Sequence, residues 1–288
     1  MGGKALKQYN VKRISPEEYH QRVAKLPDIL AWPGGKVKYF VPGDITGKRD
    51  YGDIDVLYTI PKGFIETSDF NFVDTVSRAC FSKGKVKNGI CTSVEWNGFQ
   101  LDLIRIPEDE FEFACNYYAH GTHAALLGRI AAYYSYKLGY DGLSWRIRVG
   151  DQKRDILLTR QWDQALRTLG YSTTLDASKD YSVDEVFDHI TESPLYCKQI
   201  FISTKPDRRV GFQDTFYGYA LRTAAVDYVD PKEGWNYLKK EFPDRLLEIR
   251  LTQASMQFKV WIRPFKRAWR KVWFTKILPA AYRVRGWM

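Results

Sequence analysis

Three aspartates are the side chains of this sequence best suited to chemistry. Asp53 and Asp55 belong to the run DIDVLYT at 53–59, whose polar–apolar alternation predicts a strand with both carboxylates on one side. Asp102 lies among apolar residues in a second predicted strand, where a carboxylate without a partner is unfavourable to bury. If the strands are neighbours, the three carboxylates can bind two Mg²⁺ ions, with Mn²⁺ as a substitute, and support phosphoryl transfer. Asp102 is then the expected general base for an attacking hydroxyl.

The loop before the first of these strands contains residue types that bind phosphate. Gly43 forms a predicted turn and Gly52 directly precedes the strand, and backbone N–H groups in such turns can point at phosphates. Lys48 and Arg49 can offset the charge of a triphosphate. Asp44, which follows the turn, would repel phosphate unless it turns away or binds metal.

Helices and strands that position these residues are predicted by local patterns. Ser15, Pro16 and Glu18 predict a capped helix that ends near Pro27, and Asn97-Gly98 predicts a hairpin turn between two strands. The remaining expectations are a strand at 36–41, a helix at 70–81, strands at 91–96 and 99–106, mostly helix over 108–138 with a break near His120, short mixed segments at 143–149 and 155–159, and helices at 182–190, 213–226 and 235–242. This order indicates an α+β fold with an antiparallel or mixed sheet in the first 110 residues.

The composition is that of a folded chain of 288 residues. Hydrophobic residues make up 44% and charged residues 27%, which excludes disordered and collagen-like classes. No run approaches the roughly 20 apolar residues of a membrane-spanning helix, and the polar first residues do not resemble a secretory signal. The four cysteines are too far apart for a CxxC pair, so we expect reduced, mostly buried thiols and an intracellular location.

Most of the formal net charge of +10 lies at one end of the chain. Residues 259–288 contain nine Lys or Arg residues and no Asp or Glu. Trp261, Phe265, Trp269 and Trp273 follow at intervals of four, which predicts an aromatic stripe on a helix, with Pro264 in its first turn. Three interpretations stay open: the stripe packs on the body of the protein, the segment binds nucleic acid, or it lies on an anionic membrane surface.

The motifs together resemble the nucleotidyltransferase superfamily, and within it the family X DNA polymerases of the polymerase beta type. The resemblance covers roughly residues 12–195. It is carried by the segments RISPEE at 13–18, GDIDVL at 52–57, QLDLIRIP at 100–107, YYAHGT at 117–122, GYDGL at 139–143 and the capped helix at 182–190.

The resemblance implies a fold, a site and an activity. It implies a palm-like catalytic domain at 1–130 and a nucleotide-closing subdomain at 131–200, with Tyr117, Tyr118 and Gly121 near the incoming nucleotide. Local patterns predict a mainly helical extension at 201–288. The candidate contacts to nucleic acid are Arg105 and the tail residues Lys266, Arg267, Arg270 and Lys271. The implied protein is a small, monomeric polymerase of the repair or viral or phage type, without the N-terminal lyase domain, that adds nucleotides to a DNA 3′-hydroxyl.

Two alternatives remain because the sequence departs from the family pattern. An additional residue, His120, separates the tyrosines from Gly121, and the template-reading positions have no match in 123–129. One alternative is therefore a template-independent transferase acting on an RNA end or a protein hydroxyl. The other is a catalytically silent nucleic-acid-binding protein that keeps the fold. His120 and His123 are expected at the surface or facing phosphate rather than binding metal.

Overall fold

A computed structural model describes residues 5–31, 37–61, 71–202 and 226–272. The fold is α+β, with a mixed five-stranded sheet in the first part of the chain. Its elements are α1 (Pro16–Ile29), β1 (Lys38–Phe40), β2 (Asp53–Thr59), α2 (Phe72–Ala79), β3 (Lys85–Asn88), β4 (Cys91–Trp96), β5 (Phe99–Arg105) and α3 (Phe111–Tyr118). The strand order is β1-β2-β5-β4-β3, and only the β2–β5 pair is parallel among these neighbours.

A second group of elements follows and contains a three-stranded antiparallel sheet, in the order β6-β7-β8. These elements are α4 (His123–Tyr133), β6 (Tyr136–Gly139), β7 (Gly142–Val149), β8 (Gln152–Thr159), α5 (Trp162–Thr168), α6 (Val183–Thr191), α7 (Gln199–Ile202), α8 (Glu233–Glu241) and α9 (Leu246–Val272). The segments expected to be short and mixed at 143–149 and 155–159 are thus strands. Most of the helix predicted at 213–226 lies outside the described residues.

The elements with strong local signals form as predicted. Ser15 caps α1 by accepting the Glu18 N–H at 3.2 Å. The hairpin between β4 and β5 turns at Asn97 and Gly98, whose φ angles of 49° and 74° are those that a two-residue turn requires. Ser182 caps α6 in a complete capping box.

Three predicted boundaries are wrong, and packing explains two of them. Helix α1 continues past Pro27 because Leu26 and Leu30 are both buried and hold its last turn in the core. The helix expected to reach residue 138 ends with α4, and β6 pairs with β7 instead. Pro264 lies well inside α9 rather than in its first turn, so the helix continues despite the lost N–H.

The largest hydrophobic core joins the elements of the second group. Its members come from α4, β7, α6 and α9, and include Leu127, Ile147, Phe187 and Ile249. A separate core packs α1 and α2 against one face of the five-stranded sheet. On the opposite face, a small cluster with Leu57 and Ile104 packs against α3. The three aspartates share that opposite face, so the sheet presents them beside α3 and away from the α1 side.

Candidate active site

The parallel pairing of β2 and β5 brings the three aspartates together. Asp55 lies directly opposite Asp102 in the register, and Asp53 lies opposite Gln100. Parallel neighbours need a crossover connection, which α2 and the β3–β4 strands provide here. Because strand side chains alternate between faces, Asp53, Asp55 and Asp102 project from one face of the sheet. The neighbouring strands on which the sequence prediction depended are therefore present.

The three carboxyl groups are close enough to change one another's protonation. Asp55 is open to solvent on one side, although many protein atoms surround it. This crowding, together with the charges of Asp53, Asp102 and Asp44, raises the pKa of Asp55 to about 8, against a smaller lowering by Lys48. Because the exposed side of Asp55 keeps part of its hydration, repulsion between the carboxylates is an important part of this shift.

Asp102 is the buried member of the three. Burial raises the pKa of Asp102, and the charge of Asp53 raises it further, while hydrogen bonds from Ser93 and Gln100 oppose the shift. The Gln100 amide donates to both Asp102 carboxylate oxygens at 3.0 Å. The Gln100 carbonyl in turn accepts the Ala5 N–H at 3.1 Å. The Gln100 amide thus orients the carboxylate while burial keeps its proton affinity high, as a general base needs.

A cavity of about 160 Å³ opens beside the exposed carboxylates. The predicted metal-binding residues Asp53 and Asp55 line it, together with most of the predicted nucleotide-binding residues: Gly43, Asp44, Lys48, Gly52, Tyr118 and Gly121. Strand β2 and the loop before it supply the two aspartates and the glycine turn, and the end of α3 and the turn after it supply Tyr118 and Gly121. The structure thus gathers residues that are up to about 80 positions apart in the sequence into one concave surface.

Five further lining residues were not recognised as site residues from the sequence. They are Arg13, Tyr19, Pro42, Asp50 and Tyr51. Tyr19 and Tyr51 stack with ring centroids 3.8 Å apart, and the Lys48 ammonium lies 5.3 Å from the Tyr51 ring centroid. Arg13 Nε donates to Asp50 at 2.8 Å. An isolated antiparallel β-bridge between Ile14 and Tyr51 brings these residues to the cavity. No local sequence pattern predicts that bridge.

The glycine turn at Gly43 differs from its predicted role. Its N–H donates to the Ala177 carbonyl at 2.7 Å, and the Asp44 N–H donates to the Asp180 carboxylate at 2.7 Å. These donors are therefore occupied by protein acceptors and do not point at a phosphate. A Cβ at position 43 would lie 2.2 Å from the Lys179 carbonyl oxygen. The glycine is required by this close approach of the 176–181 segment.

The side chain of Asp44 turns toward a cation. It forms an ion pair with Lys48 and accepts the Ile45 N–H at 2.8 Å. The repulsion of phosphate expected from this carboxylate is therefore reduced by the Lys48 ammonium, and Lys48 is shared between Asp44 and the cavity.

Other predicted site residues lie elsewhere. Arg49 is exposed and does not line the cavity, and Tyr117 packs against the large core. Arg105 lies on the face of β5 opposite to Asp102 and lines a separate cavity of about 780 Å³ at the far end of the strands, together with Lys85 and Glu108. That cavity is larger, but we take the smaller one as the candidate site because Asp53 and Asp55 line it and Asp102 pairs with Asp55 in the neighbouring strand. The backbone of the predicted nucleic-acid-binding residues Lys266, Arg267, Arg270 and Lys271 belongs to the last turns of α9.

A histidine cluster lies next to the site, and its members are buried rather than exposed as expected. His123 Nε2 and His189 Nδ1 are 3.0 Å apart, and His189 Nε2 lies 3.3 Å from the Thr173 carbonyl. Because a carbonyl only accepts, His189 donates to Thr173 and His123 donates to His189. His120 donates to the Asp176 and Lys179 carbonyls at 3.2 and 3.0 Å.

Burial lowers the pKa of all three histidines of this cluster. Their neutral forms match the hydrogen bonds to carbonyl oxygens, which need one N–H on each ring. The cluster therefore ties the 173–189 segment to the start of α4, and it holds the wall of the cavity in place.

Metal binding is compatible with the donor set but is not preformed. In the parts of the chain that the structure describes, no group of three or more His, Cys, Asp or Glu side chains stands in an arrangement that could hold a metal ion. The donor chemistry nevertheless suits Mg²⁺, which prefers carboxylate oxygens. A cation beside Asp53, Asp55 and Asp102 would also relieve the repulsion that raises the pKa of Asp55.

Comparison with known proteins identifies no relative. Neither the models of known protein families nor the curated proteins contain a match for this chain. The function must therefore be inferred from the carboxylates, the cavity and the elements around them.

Proposed function

We propose that this protein is a Mg²⁺-dependent nucleotidyltransferase that adds a nucleotide to a 3′-hydroxyl and releases pyrophosphate. The observation that carries the proposal is the parallel β2–β5 register, which sets Asp55 opposite Asp102 with Asp53 on the same face. The polymerase beta-like palm that the sequence motifs resemble is the finer fold that fits this arrangement. Under this proposal, the protein is a monomeric intracellular enzyme, and a viral or phage origin accords with the small size of the implied catalytic region.

The chemistry assigns a role to each carboxylate. The oxygen of the 3′-hydroxyl forms a bond to the α-phosphorus of a nucleoside triphosphate, and the bond from that phosphorus to the bridging oxygen breaks, so pyrophosphate leaves. Asp102, whose pKa is raised by burial, accepts the hydroxyl proton. Asp53 and Asp55, with Asp102, would hold two Mg²⁺ ions or Mn²⁺ in their place. Such ions supply charge neutralisation and a lower pKa of the hydroxyl.

The cavity provides the elements that a triphosphate needs. Lys48 and Arg13 both line it, so cations stand close to the site where the phosphate charge would lie. Tyr118 and Gly121 form the opposite wall and would contact the sugar and base. The stacked pair of Tyr19 and Tyr51 gives this end of the cavity a rigid apolar side. The enzyme would gain most of its rate from positioning and charge stabilisation.

DNA is the acceptor that the sequence motifs favour, and one observation favours untemplated addition instead. In the family resembled, the template strand is read from the helix that corresponds to α4. Here His123 is buried, and the Arg129 guanidinium lies 5.9 Å from the Phe201 ring centroid, inside the second group of elements. His123 faces the protein interior, and Arg129 is half-buried against Phe201, so a template-independent transferase acting on an RNA end or a protein hydroxyl is the second candidate.

Incorporation assays on matched substrates test the proposal. The full chain is incubated with Mg²⁺, each labelled dNTP and NTP, and gapped duplex DNA, single-stranded DNA or RNA. We expect extension of at least one acceptor, and a loss of at least ~10³-fold in Asp102→Asn because the base and a metal ligand disappear together. The matched control is Asp28→Asn, which changes an exposed carboxylate on α1 that does not line the cavity.

The acceptor pattern separates the candidates. Extension that follows the template sequence supports the DNA polymerase, and untemplated addition supports the second candidate. Equal activity in Asp102→Asn and in the unaltered protein contradicts the proposed site. No incorporation on any nucleic acid or protein acceptor, in a folded sample, supports the catalytically silent protein that keeps the fold.

A further inference from the structure

Helix α9 presents two opposite apolar faces, and only one of them is covered. Ile249 and Met256 are buried, at 0% and 5% exposure, where α9 packs against β7 and the large core. Leu247 and Leu251 are 68% and 61% exposed. The helix is thus fixed to the body along one side while apolar side chains of the other side face solvent.

The exposed apolar side continues along the helix. Phe258 and Trp261 are 59% and 65% exposed, and at 100° per residue they fall in line with Leu247 and Leu251. We call these four residues the outer stripe. The helical backbone extends to Val272, and the sequence repeats aromatic residues at Phe265 and Trp269 with the same periodicity.

The charge of this helix has one sign. Residues 246–272 contain seven Lys or Arg residues and a single acidic residue, Glu248. From Arg263 to Lys271, the basic positions are offset from the line of the outer stripe by about half a turn of helix. The helix therefore has a line of apolar and aromatic residues on one side and mainly basic positions on the other. This is the pattern of a helix that lies in a membrane interface.

Two other occupants of the outer stripe fit these observations less well. A second copy of the chain would bring two helices of like charge together, and Pro264 lies within the helix that would have to pair. A nucleic acid would need aromatic rings and cations on the same side so that bases stack while phosphates are neutralised. Along α9, the apolar line and most basic positions lie on different sides.

We propose that α9 docks this protein on an anionic lipid surface, with the outer stripe at the boundary between headgroups and acyl chains. The basic positions provide attraction to acidic headgroups, and the aromatic residues provide apolar contact area. Because the Ile249 side packs on the body, the body would lie on the side of α9 that faces away from the lipid. The helix would lie on the bilayer: no helix in the described ranges is long and apolar enough to span one.

Vesicle flotation with the full chain tests this proposal. The probes are vesicles of phosphatidylcholine alone and vesicles with 30% phosphatidylserine, a composition chosen to supply acidic headgroups. We expect at least about tenfold more protein bound to the acidic vesicles at low salt, and weaker binding at high salt because the attraction is screened. The Phe258→Ser/Trp261→Ser variant should lose at least about tenfold of this binding because it removes two aromatic anchors of the outer stripe.

The control removes an equal number of exposed aromatic rings elsewhere. Phe81 and Tyr228 are 90% and 58% exposed, so Phe81→Ser/Tyr228→Ser should bind acidic vesicles as the unaltered protein does. Circular dichroism verifies that both variants are folded. The proposal fails if acidic vesicles bind no more protein than neutral ones, or if the outer-stripe variant binds normally. It also fails if that variant instead loses self-association in sedimentation or retention of single-stranded DNA, which would assign the stripe to a second copy or to nucleic acid.

Discussion

The aspartate site and the histidine cluster lie on either side of the Gly43 turn and differ in how the protein accommodates their titratable side chains. At the site, Asp53, Asp55 and Asp102 project from one face of the sheet, and burial together with the charges of the neighbouring carboxylates raises the pKa of Asp55 to about 8. In the cluster, His120 and His189 donate to backbone carbonyls, and burial lowers their pKa values. The cluster favours neutral rings, whereas the site gathers carboxyl groups whose like charges repel one another.

This difference indicates where function lies. A protein can bury titratable groups at little penalty if it gives their neutral forms hydrogen-bond partners, as it does for His120 and His189. Carboxyl groups of like charge held close together lower stability and are retained where a ligand or a metal uses them. The contrast assigns the histidines to the structure of the cavity wall and supports the proposed role of the aspartates.

Among the variants that test this comparison, His189→Leu should have the largest effect, which is a loss of stability. Leucine removes the acceptor for His123 and the donor to the Thr173 carbonyl, so buried polar groups lose their partners. We expect a decrease of about 2–3 kcal/mol in the free energy of unfolding, measured by chemical denaturation at pH 8, with activity per folded molecule kept.

His20→Leu is the matched control, because His20 is the exposed histidine of α1 and should change stability by less than about 0.5 kcal/mol. In the unaltered protein, the lowered pKa values of the cluster favour neutral rings in the folded state. This contribution is present above the ordinary histidine pKa and is lost as the pH falls below it. A stable His189→Leu protein without activity would move the cluster into the functional site.

Gly43→Ala would break the contact between the two regions. The added Cβ would lie 2.2 Å from the Lys179 carbonyl oxygen, and backbone on both sides must shift. We expect a destabilisation of about 1–3 kcal/mol, detected as a lower melting temperature. Gly128→Ala is the control, since a Cβ at position 128 meets nothing within 4 Å and alanine favours the helix. Equal melting temperatures for both variants would mean that the 176–181 segment does not press on the turn.

Asp55→Asn gives the smallest effect and tests the aspartate side of the comparison. Because the pKa of Asp55 is raised in the folded state, its protonation favours folding, and this contribution is lost as the pH rises toward about 8. The variant should therefore be more stable than the unaltered protein at pH 8 without metal. We expect about 1 kcal/mol, reduced by the solvent exposure of the side chain.

Thermal denaturation between pH 4 and pH 9, without metal, measures this gain, with Asp28→Asn as the control that should show none. The gap between Asp55→Asn and the unaltered protein should widen up to about pH 8 and then stay level. Added Mg²⁺ should raise the melting temperature of the unaltered protein more than that of Asp55→Asn. A destabilised Asp55→Asn protein at pH 8 would contradict the repulsion described here.

Local patterns in the sequence were enough for the elements that carry the aspartates. The alternation in DIDVLYT predicted β2, the Asn97-Gly98 pair predicted the hairpin that contains Asp102, and Ser15 and Ser182 predicted two helix starts. These signals depend on residues within a few positions of one another, and backbone sterics and capping act over that range.

Tertiary packing decided the features that involve distant residues. The 176–181 segment occupies the N–H groups of the Gly43 turn, the Ile14–Tyr51 bridge adds Arg13 and the stacked tyrosines to the cavity, and pairing with β7 turns residues 136–139 into a strand. Each depends on contacts that no local propensity encodes, because burial and hydrogen bonding to remote partners outweigh the few tenths of a kcal/mol per residue by which local preferences differ.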